Sequence, residues 1–424
     1  APDDGGGSCP NRNTCCRTEV AGTSSCIPAK KQDPDNALGQ CCDGGTGCPF
    51  GYQCATDQHG RPYCQLEHDH PSYLYNDTSR YSLCRVPSTM QTLWGFPMTN
   101  ATLRAGYYSN MGDFTNTTTI SSHLKVDTAI IIVHGSDRNA DDYFCTALSL
   151  LDNDVHTLES TLVIVPWFAS PEDPHILDHL LLWADKETND NPFSHSWRYG
   201  ADAVNAPISS YAVLDSMIEY LVTANVQFPN LRRVAVAGHS AGGQVTHRWS
   251  LLSNSPAWTH PTVTIASVVA NSRSYCYLDG RRFLYDGSFD IPENDAIQVC
   301  PNYNQWLWGL EKGGILHCPY KDRALQQTPA KHMTQRYATR NVVYLSGEFD
   351  TILANDGCET FVFQGTNRQQ RAKFYFQSLQ KYFGRTVHDF HIIEGSPHDH
   401  ALMFQSQQGR RAIFGTNPQV ATEE

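Results

Sequence analysis

A serine between glycines is the feature of the sequence from which most of the chemistry follows. Residues 238–243 read Gly-His-Ser-Ala-Gly-Gly, with Ser240 at the centre of a Gly-x-Ser-x-Gly pattern. A β-rich run at 233–237 precedes the pattern, and a stretch with helical spacing follows it. Such a strand-to-helix turn needs glycines where backbone segments approach closely, and it presents the serine hydroxyl at the carboxyl edge of a sheet. We predict that Ser240 is a nucleophile.

A hydroxyl attacks poorly without a base to take its proton, and that base needs an acid to orient it. After a nucleophile on a strand-to-helix turn, the acid comes next along the chain and the histidine last. The strand candidate 342–345 leads into Ser-Gly-Glu-Phe-Asp-Thr, which places Asp350 on the following loop. Glu348 and Asp356 lie nearby, and Asp279 is a more distant alternative. Asp350 is the predicted acid.

Two histidines compete for the role of the base. The last strand candidate, 388–393, leads into Glu-Gly-Ser-Pro-His-Asp-His. His398 directly follows the turn and is the predicted base, while His400 is the alternative. The pair with Asp399 between them also suggests a metal site, but no further ligands stand at metal spacing. We therefore expect neither a metal nor an organic cofactor.

Acyl transfer also needs two backbone N–H groups to hold an oxyanion. One is expected from Ala241, directly after the nucleophile. The other is expected from the loop after an early strand, where 129–133 is followed by His-Gly-Ser-Asp. Ser136 is the predicted donor, with Asp137 behind it.

Loops after strands also carry side chains that can line a substrate cleft. Trp167, Trp197 and Asn271 are the predicted substrate-binding residues, and further loop aromatics occur at 199, 275 and 277. Each aromatic could instead fill the domain core. A long insertion near 275–335 contains Asn-Tyr-Asn-Gln-Trp-Leu-Trp and is a candidate cap. Four cysteines could pin it, Cys276, Cys300, Cys318 and Cys358.

The elements that must position these residues follow from the apolar pattern. From 128 onward, short β-rich runs alternate with amphipathic stretches such as 211–226 and 368–383. The strand candidates are 129–133, 162–165, 233–237, 264–270, 342–345 and 390–393. This alternation predicts an α/β fold with a mostly parallel central sheet and helices on both faces.

The N-terminal region has a different character. Residues 9–64 hold nine of the fifteen cysteines and almost no aliphatic run, so cross-links must hold the segment together. We predict a disulfide module at 1–65, with zinc binding as the rival interpretation. A glycosylated linker with leading strands is expected at 66–127, and a catalytic domain at 128–424. Cys84 can pair with the ninth cysteine of the module.

The cysteine content indicates an oxidising compartment. Three Asn-x-Ser/Thr acceptors, Asn76, Asn100 and Asn116, agree with this. The sequence opens without an apolar targeting segment, so we expect a mature form whose signal peptide has been removed. The predicted location is extracellular.

Composition excludes several classes of function. With 31 basic and 43 acidic residues the formal net charge is −12, which disfavours nucleic acid as a partner. Hydrophobic residues make up 40% of the chain and charged residues 17%, which argues against wholesale disorder. The longest apolar runs are only strand-length, so we expect no membrane span.

Two short motifs carry a resemblance to a known family. The loop at 134–143, His-Gly-Ser…Ala-Asp-Asp-Tyr, together with 238–243, resembles the polyhydroxyalkanoate depolymerase and feruloyl/acetylxylan esterase branch of the α/β-hydrolases. Those enzymes have a cysteine where this chain has Ser136, a change that leaves the backbone donor intact. The resemblance spans roughly 128–410 and implies an α/β-hydrolase fold with serine esterase activity. The cysteine doublets at 15–16 and 41–42 resemble granulin-like modules.

The resemblance implies a carboxylic ester as substrate, with polymeric and cell-wall-derived esters among the candidates. The cysteine-rich module is then a candidate for binding a polymer surface. A serine peptidase or amidase is an alternative, because the same residues cleave amides, although no propeller-like repeat accompanies them. A non-catalytic binding protein is a third possibility, but such proteins usually lose the serine or the histidine.

Overall fold

The computed structural model describes residues 92–99, 102–117, 123–151, 156–173, 176–184, 196–284, 287–311, 318–354 and 357–415, and four short strands within the first 66 residues. Several predictions lie outside the described residues: the granulin-like cysteine module apart from those strands, the pairing of Cys84, the glycan acceptors Asn76 and Asn100, and the rival acid Asp356. The chain divides into two compact units, Ala1–Arg85 and Val86–Glu424.

The first unit contains two antiparallel hairpins. Strand β1 (Thr14–Arg17) pairs with β2 (Ser24–Ile27), and β3 (Tyr52–Thr56) pairs with β4 (Pro62–Leu66). The register sets position 15 opposite 26 in the first hairpin and 54 opposite 64 in the second. All four positions are cysteines.

The second unit is built on a large mixed sheet. Its strands are, in chain order, β5 (Trp94–Pro97), β6 (Arg104–Ser109), β7 (Thr128–Val133), β8 (Thr161–Trp167), β9 (Asp202–Ala203), β10 (Ala206–Ser209), β11 (Arg233–His239), β12 (Thr264–Ala270), β13 (Arg282–Phe283), β14 (Phe289–Asp290), β15 (Asn341–Gly347) and β16 (Asp389–Ile393). Eight of them form one sheet in the order β16-β15-β12-β11-β7-β8-β6-β5. The six neighbouring strands β16, β15, β12, β11, β7 and β8 all pair in parallel. Strand β6 pairs antiparallel with both β5 and β8. The predicted mostly parallel sheet is confirmed.

Ten helices connect or cover the strands of the described second unit. They are α1 (Ala140–Ser149), α2 (Ser210–Thr223), α3 (Ala241–Leu252), α4 (Asn294–Val299), α5 (Pro319–Gln327), α6 (Ala330–Tyr337), α7 (Cys358–Phe361), α8 (Arg368–Phe383), α9 (His400–Gln405) and α10 (Gln407–Phe414). Helix α8 matches its predicted range, whereas α2 ends three residues before the predicted 226. Gly384 follows α8 with a φ of 66°, a left-handed conformation that closes a helix readily.

Helices cover both faces of the sheet. Strand β7 is almost entirely apolar because its side chains are buried on both of these faces. Side chains along a strand alternate between the two faces. Ile131 and Val133 pack with α2, α3 and α8 in one core cluster, while Ile130 and Ile132 pack with α1, α9 and α10 in another. A strand buried on both faces therefore reads as an unbroken apolar run.

The insertion between β12 and β15 packs closely against the rest of the unit. The two tryptophans of the candidate cap, Trp306 and Trp308, are buried in the larger core cluster. A disulfide joins Cys300 to Cys358, at the start of α7, over a separation of 58 residues. The other two cysteines proposed to pin a cap, Cys276 and Cys318, are buried free thiols. Among the described helices, none combines the length and the apolar character needed to cross a membrane.

Several histidines of the second unit have pKa values that burial lowers below the ordinary value of 6.5. The effect is largest for five of them: to about 4 for three, and well below 6.5 for two. The three are His134, His388 and His400, and the two are His239 and His247. Burial has the opposite effect on Asp215, where it raises the carboxyl pKa from 3.8 to about 6. All six groups favour their neutral forms in the folded state.

We predict that the second unit loses stability on mild acidification. A histidine with a depressed folded-state pKa contributes stability that is fully present above 6.5 and is lost as the pH falls towards 4. Each such histidine adds a slope of up to about 1.4 kcal/mol per pH unit. Asp215 opposes this trend, because its contribution is present below 3.8 and is lost as the pH rises through about 6.

Urea unfolding between pH 7.5 and 4.5 measures the effect, and the free energy of unfolding should fall with pH. His388→Gln should make the slope shallower, since glutamine cannot titrate and its amide can still donate to the carbonyl of Tyr337, which lies 2.9 Å from His388 Nε2. A free energy that is flat or rises towards pH 4.5 would contradict the prediction.

Candidate active site

The turn at Ser240 is sterically crowded and strained. Ser240 joins β11 to α3 with φ 58° and ψ −115°, a conformation that non-glycine residues rarely adopt. A Cβ at Gly238 would lie 2.2 Å from the carbonyl oxygen of Gly242, and one at Gly242 would lie 2.1 Å from that of Val133. The Ser240 N–H donates to the Ala270 carbonyl at 3.0 Å, which ties the turn to the end of β12. The flanking glycines are therefore required by contact.

The predicted acid and base meet beyond the carboxyl ends of β15 and β16. His398 Nδ1 lies 2.7 Å from Asp350 Oδ2, and the Asp350 side chain is fully buried. Asp350 Oδ1 also accepts a longer hydrogen bond from Arg368 Nη1, at 3.4 Å. Because the carboxylate accepts the Nδ1 proton, the neutral ring presents Nε2 as an acceptor. The His398 side chain is 29% exposed, as a base that meets a substrate must be.

The rival acids within the described residues have other partners. Glu348 Oε2 accepts the N–H of Gly395 at 2.8 Å, and thereby holds the loop before His398. Asp279 pairs with the neighbouring Arg281 at 2.7 Å. Neither carboxylate is recorded in contact with a histidine of the final loop.

The alternative base, His400, has a separate environment. Its Nε2 lies 3.3 Å from Asp142 Oδ2 and its Nδ1 lies 3.4 Å from Thr146 Oγ1, both on α1. Its ring packs edge-on against Tyr143 at 4.1 Å. His398 and His400 share one neighbour, the ring of His239, with centroids 4.5 Å and 5.9 Å away, but within the described residues they do not form a three-ligand group that could hold a metal ion.

The oxyanion loop is held at both ends by side chains. His134 Nε2 accepts the N–H of Phe168 at 3.0 Å, so its proton lies on Nδ1 and reaches the Gly135 carbonyl at 2.9 Å. Arg138, in a left-handed conformation with φ 55°, forms a bidentate ion pair with Asp173. These contacts fix the loop that contains Ser136.

The two predicted oxyanion donors lie on adjoining segments. Ala241 is the first residue of α3 and is buried, while Ser136 is exposed. A Cβ at Gly242 would lie within 2.6 Å of the His134 carbonyl oxygen, so the start of α3 packs directly on the start of the oxyanion loop. The N-terminus of a helix also carries partial positive charge, which favours a developing oxyanion.

The predicted substrate-binding residues have unequal exposure. Trp167 is partly buried at the end of β8. Trp197 and Asn271 are both interior. The Trp197 ring packs against His134 at 4.6 Å and Phe168 at 5.5 Å, so it supports the oxyanion loop from within the core. Because the side chains of Trp197 and Asn271 are both buried, neither faces an open cleft, and their role in substrate binding stays a prediction.

The loop aromatics Tyr275 and Tyr277 are likewise fully buried. Asn116, the predicted glycan acceptor within the described residues, is exposed. A metal-like grouping occurs at Cys300, Cys358 and Glu359, but the disulfide between the cysteines removes two of its three donors.

Sequence reasoning assigned no role to two residues beside the site. Tyr143 Oη lies 3.0 Å from His239 Nδ1, and His239 directly precedes Ser240. Tyr143 ends the Ala-Asp-Asp-Tyr run, so the motif itself contained the signal. His239 occupies a variable position of the elbow pattern, where no spacing rule applies.

Comparison with known proteins gives remote structural similarity. No protein-family model and no curated protein sequence matches the chain. A poly(aspartic acid) hydrolase from Sphingomonas sp. KT-1 is 17% identical, with a TM-score of 0.46, over 76% of this chain and 98% of that one. A poly(3-hydroxybutyrate) depolymerase from Bordetella parapertussis is 16% identical, with a TM-score of 0.45, over 75% and 87%. A Pyrococcus furiosus esterase is 11% identical, with a TM-score of 0.37, over 78% and 94%.

The strand order and the turn at Ser240, rather than these remote similarities, identify the fold. The serine directly follows a central strand of a mostly parallel sheet, and later strands lead first to Asp350 and then to His398. The order serine, acid, histidine distinguishes α/β-hydrolases from the other folds that use the same three residue types. The chain has the α/β-hydrolase fold.

Proposed function

We propose that this protein is a secreted serine hydrolase that cleaves carboxylic esters through an acyl-enzyme. One observation carries the proposal: His398 Nδ1 contacts the buried Asp350 carboxylate at 2.7 Å, on loops at the sheet edge that also presents Ser240. The base is thereby held in the tautomer that can accept a proton from a serine. Extracellular location is supported by the cysteine content and by the disulfide between Cys300 and Cys358.

The geometry supports a two-step mechanism. Ser240 Oγ attacks the ester carbonyl carbon while His398 Nε2 takes the hydroxyl proton. The N–H groups of Ala241 and Ser136 hold the oxyanion of the tetrahedral intermediate. The intermediate collapses, the C–O bond to the alcohol breaks, and His398 returns its proton to the leaving oxygen. Water, deprotonated by His398, then attacks the acyl-enzyme and releases the acid together with free Ser240.

The resemblance of the 134–143 loop and the elbow to polyester and cell-wall esterases favours esters over amides as substrates. Polymeric and plant-derived esters are the candidates to test first. Hydrolysis rates on a matched ester and anilide separate this proposal from an amidase. A screen of acetyl, feruloyl and longer acyl esters then defines the acyl group.

Replacing the nucleophile provides the first prediction. Ser240→Ala should lower kcat on a short-chain nitrophenyl ester by about 10⁴-fold or more, because no other hydroxyl takes its place. It should also abolish labelling by a fluorophosphonate probe. Ser267→Ala is the matched control, since Ser267 is a buried serine of β12 whose hydroxyl donates to the Thr246 carbonyl. Unchanged turnover by Ser240→Ala would contradict the proposal.

The two histidines of the final loop should differ sharply. His398→Gln should reduce kcat by about 10³- to 10⁴-fold, because the proton acceptor is lost. His400→Gln should retain kcat within roughly ten-fold, since its contacts are to α1, and should mainly lower stability. Circular dichroism melts and nitrophenyl ester kinetics on both variants measure the contrast. The reverse ranking would identify His400 as the base.

A further inference from the structure

We infer that Asn271, His239 and Tyr143 form a buried positioning relay that holds the four catalytic loops in register. The inference rests on the proposed function, because it assigns these residues to the same reaction. None of the three forms or breaks a bond in the proposed mechanism. Asn271 and Tyr143 act through neighbours of the proposed catalytic residues, while His239 directly precedes Ser240 and also packs on the His398 ring, with centroids 4.5 Å apart.

Asn271 is the hub of the relay, at the end of β12. It is buried and has a φ of 45°, in the left-handed region that costs a non-glycine residue free energy. Its Oδ1 accepts the N–H of Gly347 at 2.7 Å, and its Nδ2 donates to the Pro397 carbonyl at 3.2 Å. One side-chain amide thus joins the loop before Asp350 to the residue before His398.

The same amide fixes the direction of the hydrogen bonds at His239. The Gly347 N–H can only donate and the Pro397 carbonyl can only accept, so the orientation of the Asn271 amide is unambiguous. Its Nδ2 lies 3.3 Å from His239 Nε2, which must therefore accept. The neutral imidazole then carries its proton on Nδ1 and donates it to Tyr143 Oη at 3.0 Å.

Tyr143 extends the relay to the oxyanion loop. A Cβ at Gly135 would lie 2.8 Å from the Tyr143 hydroxyl, so this hydroxyl packs directly on the Gly135 backbone. The relay therefore ends one residue before Ser136. Three of its contacts involve the residue directly before a proposed catalytic one, at positions 135, 239 and 397.

Register between these loops bears directly on rate. The four loops come from strands far apart in the sequence, and displacement of a reacting group by about 1 Å can cost about 10²-fold in rate. A relay of directed hydrogen bonds between neighbouring residues limits such displacement. A purely structural network would instead affect stability without a selective effect on the chemical step.

Tyr143→Phe tests the inference, because it removes one hydroxyl and keeps the ring that packs on His400. On nitrophenyl acetate, kcat should fall about 10- to 100-fold while KM stays within about two-fold. Fluorophosphonate labelling should slow in proportion. Tyr107→Phe is the matched control: Tyr107 is a buried residue of β6 whose hydroxyl donates to Asp113, and its loss should leave kcat unchanged.

Variants of His239 provide an independent readout. His239→Leu should lower kcat, and His239→Asn should recover part of the loss, since its amide nitrogen can occupy the Nδ1 position and donate to Tyr143. Recovery of kcat by asparagine supports the relay even if Tyr143→Phe does not fold.

Two results would overturn the inference. One is a kcat for Tyr143→Phe within two-fold of both wild type and Tyr107→Phe. The other is equal loss for the leucine and asparagine variants of His239. A folded wild-type protein that neither turns over esters nor labels would overturn the proposed function and this inference together. Ester turnover and fluorophosphonate labelling of the wild-type protein detect that outcome before any variant is made.

Discussion

The site depends on one steric constraint, the contact between the elbow and the neighbouring backbone. At Gly242 a side-chain carbon would come within 2.1 Å of the Val133 carbonyl oxygen, so α3 begins in direct contact with the end of β7. That contact brings the oxyanion loop beside the serine, and the positive φ of Ser240 follows from the same sharp turn. Strain of this kind persists only where the surroundings over-determine it, and here the parallel pairing of β11 with β7 and β12 does so.

The interior of the second unit contains neutral imidazoles whose hydrogen bonds each have a defined donor and acceptor. The buried imidazoles of His134 and His239 each carry a single proton, and a fixed donor at Nε2 sets its position. Asp350 is the exception, a fully buried carboxylate that meets both His398 and Arg368. These two contacts occupy both carboxylate oxygens of the buried side chain. The charged side chains of Asp350 and Arg368 therefore lie next to His398.

Much of the fold was predictable because a parallel sheet buried on both faces leaves unbroken apolar runs, and β7 is the clearest example. The turn at Ser240 was predictable because sterics constrain it, and the contact between Asp350 and His398 follows from the order of the strands that carry them, while their roles as acid and base stay predictions. Position after the turn favoured His398 over His400, but the contacts of His400 with α1 could not be predicted, because they depend on how a distant helix packs. Burial of Trp197 could not be predicted either, because a residue in a loop is not part of a periodic pattern that shows whether it faces the core or the solvent.

The disulfide between Cys300 and Cys358 has a consequence for resistance to proteolysis. It closes a covalent ring that contains α5, α6, β15 and the acid Asp350. A single cleavage anywhere inside that ring leaves the two fragments joined, so the acid cannot be separated from the domain by one cut. Under the extracellular location proposed above, this ring would keep Asp350, on the loop after β15, joined to the domain in a medium that contains proteases.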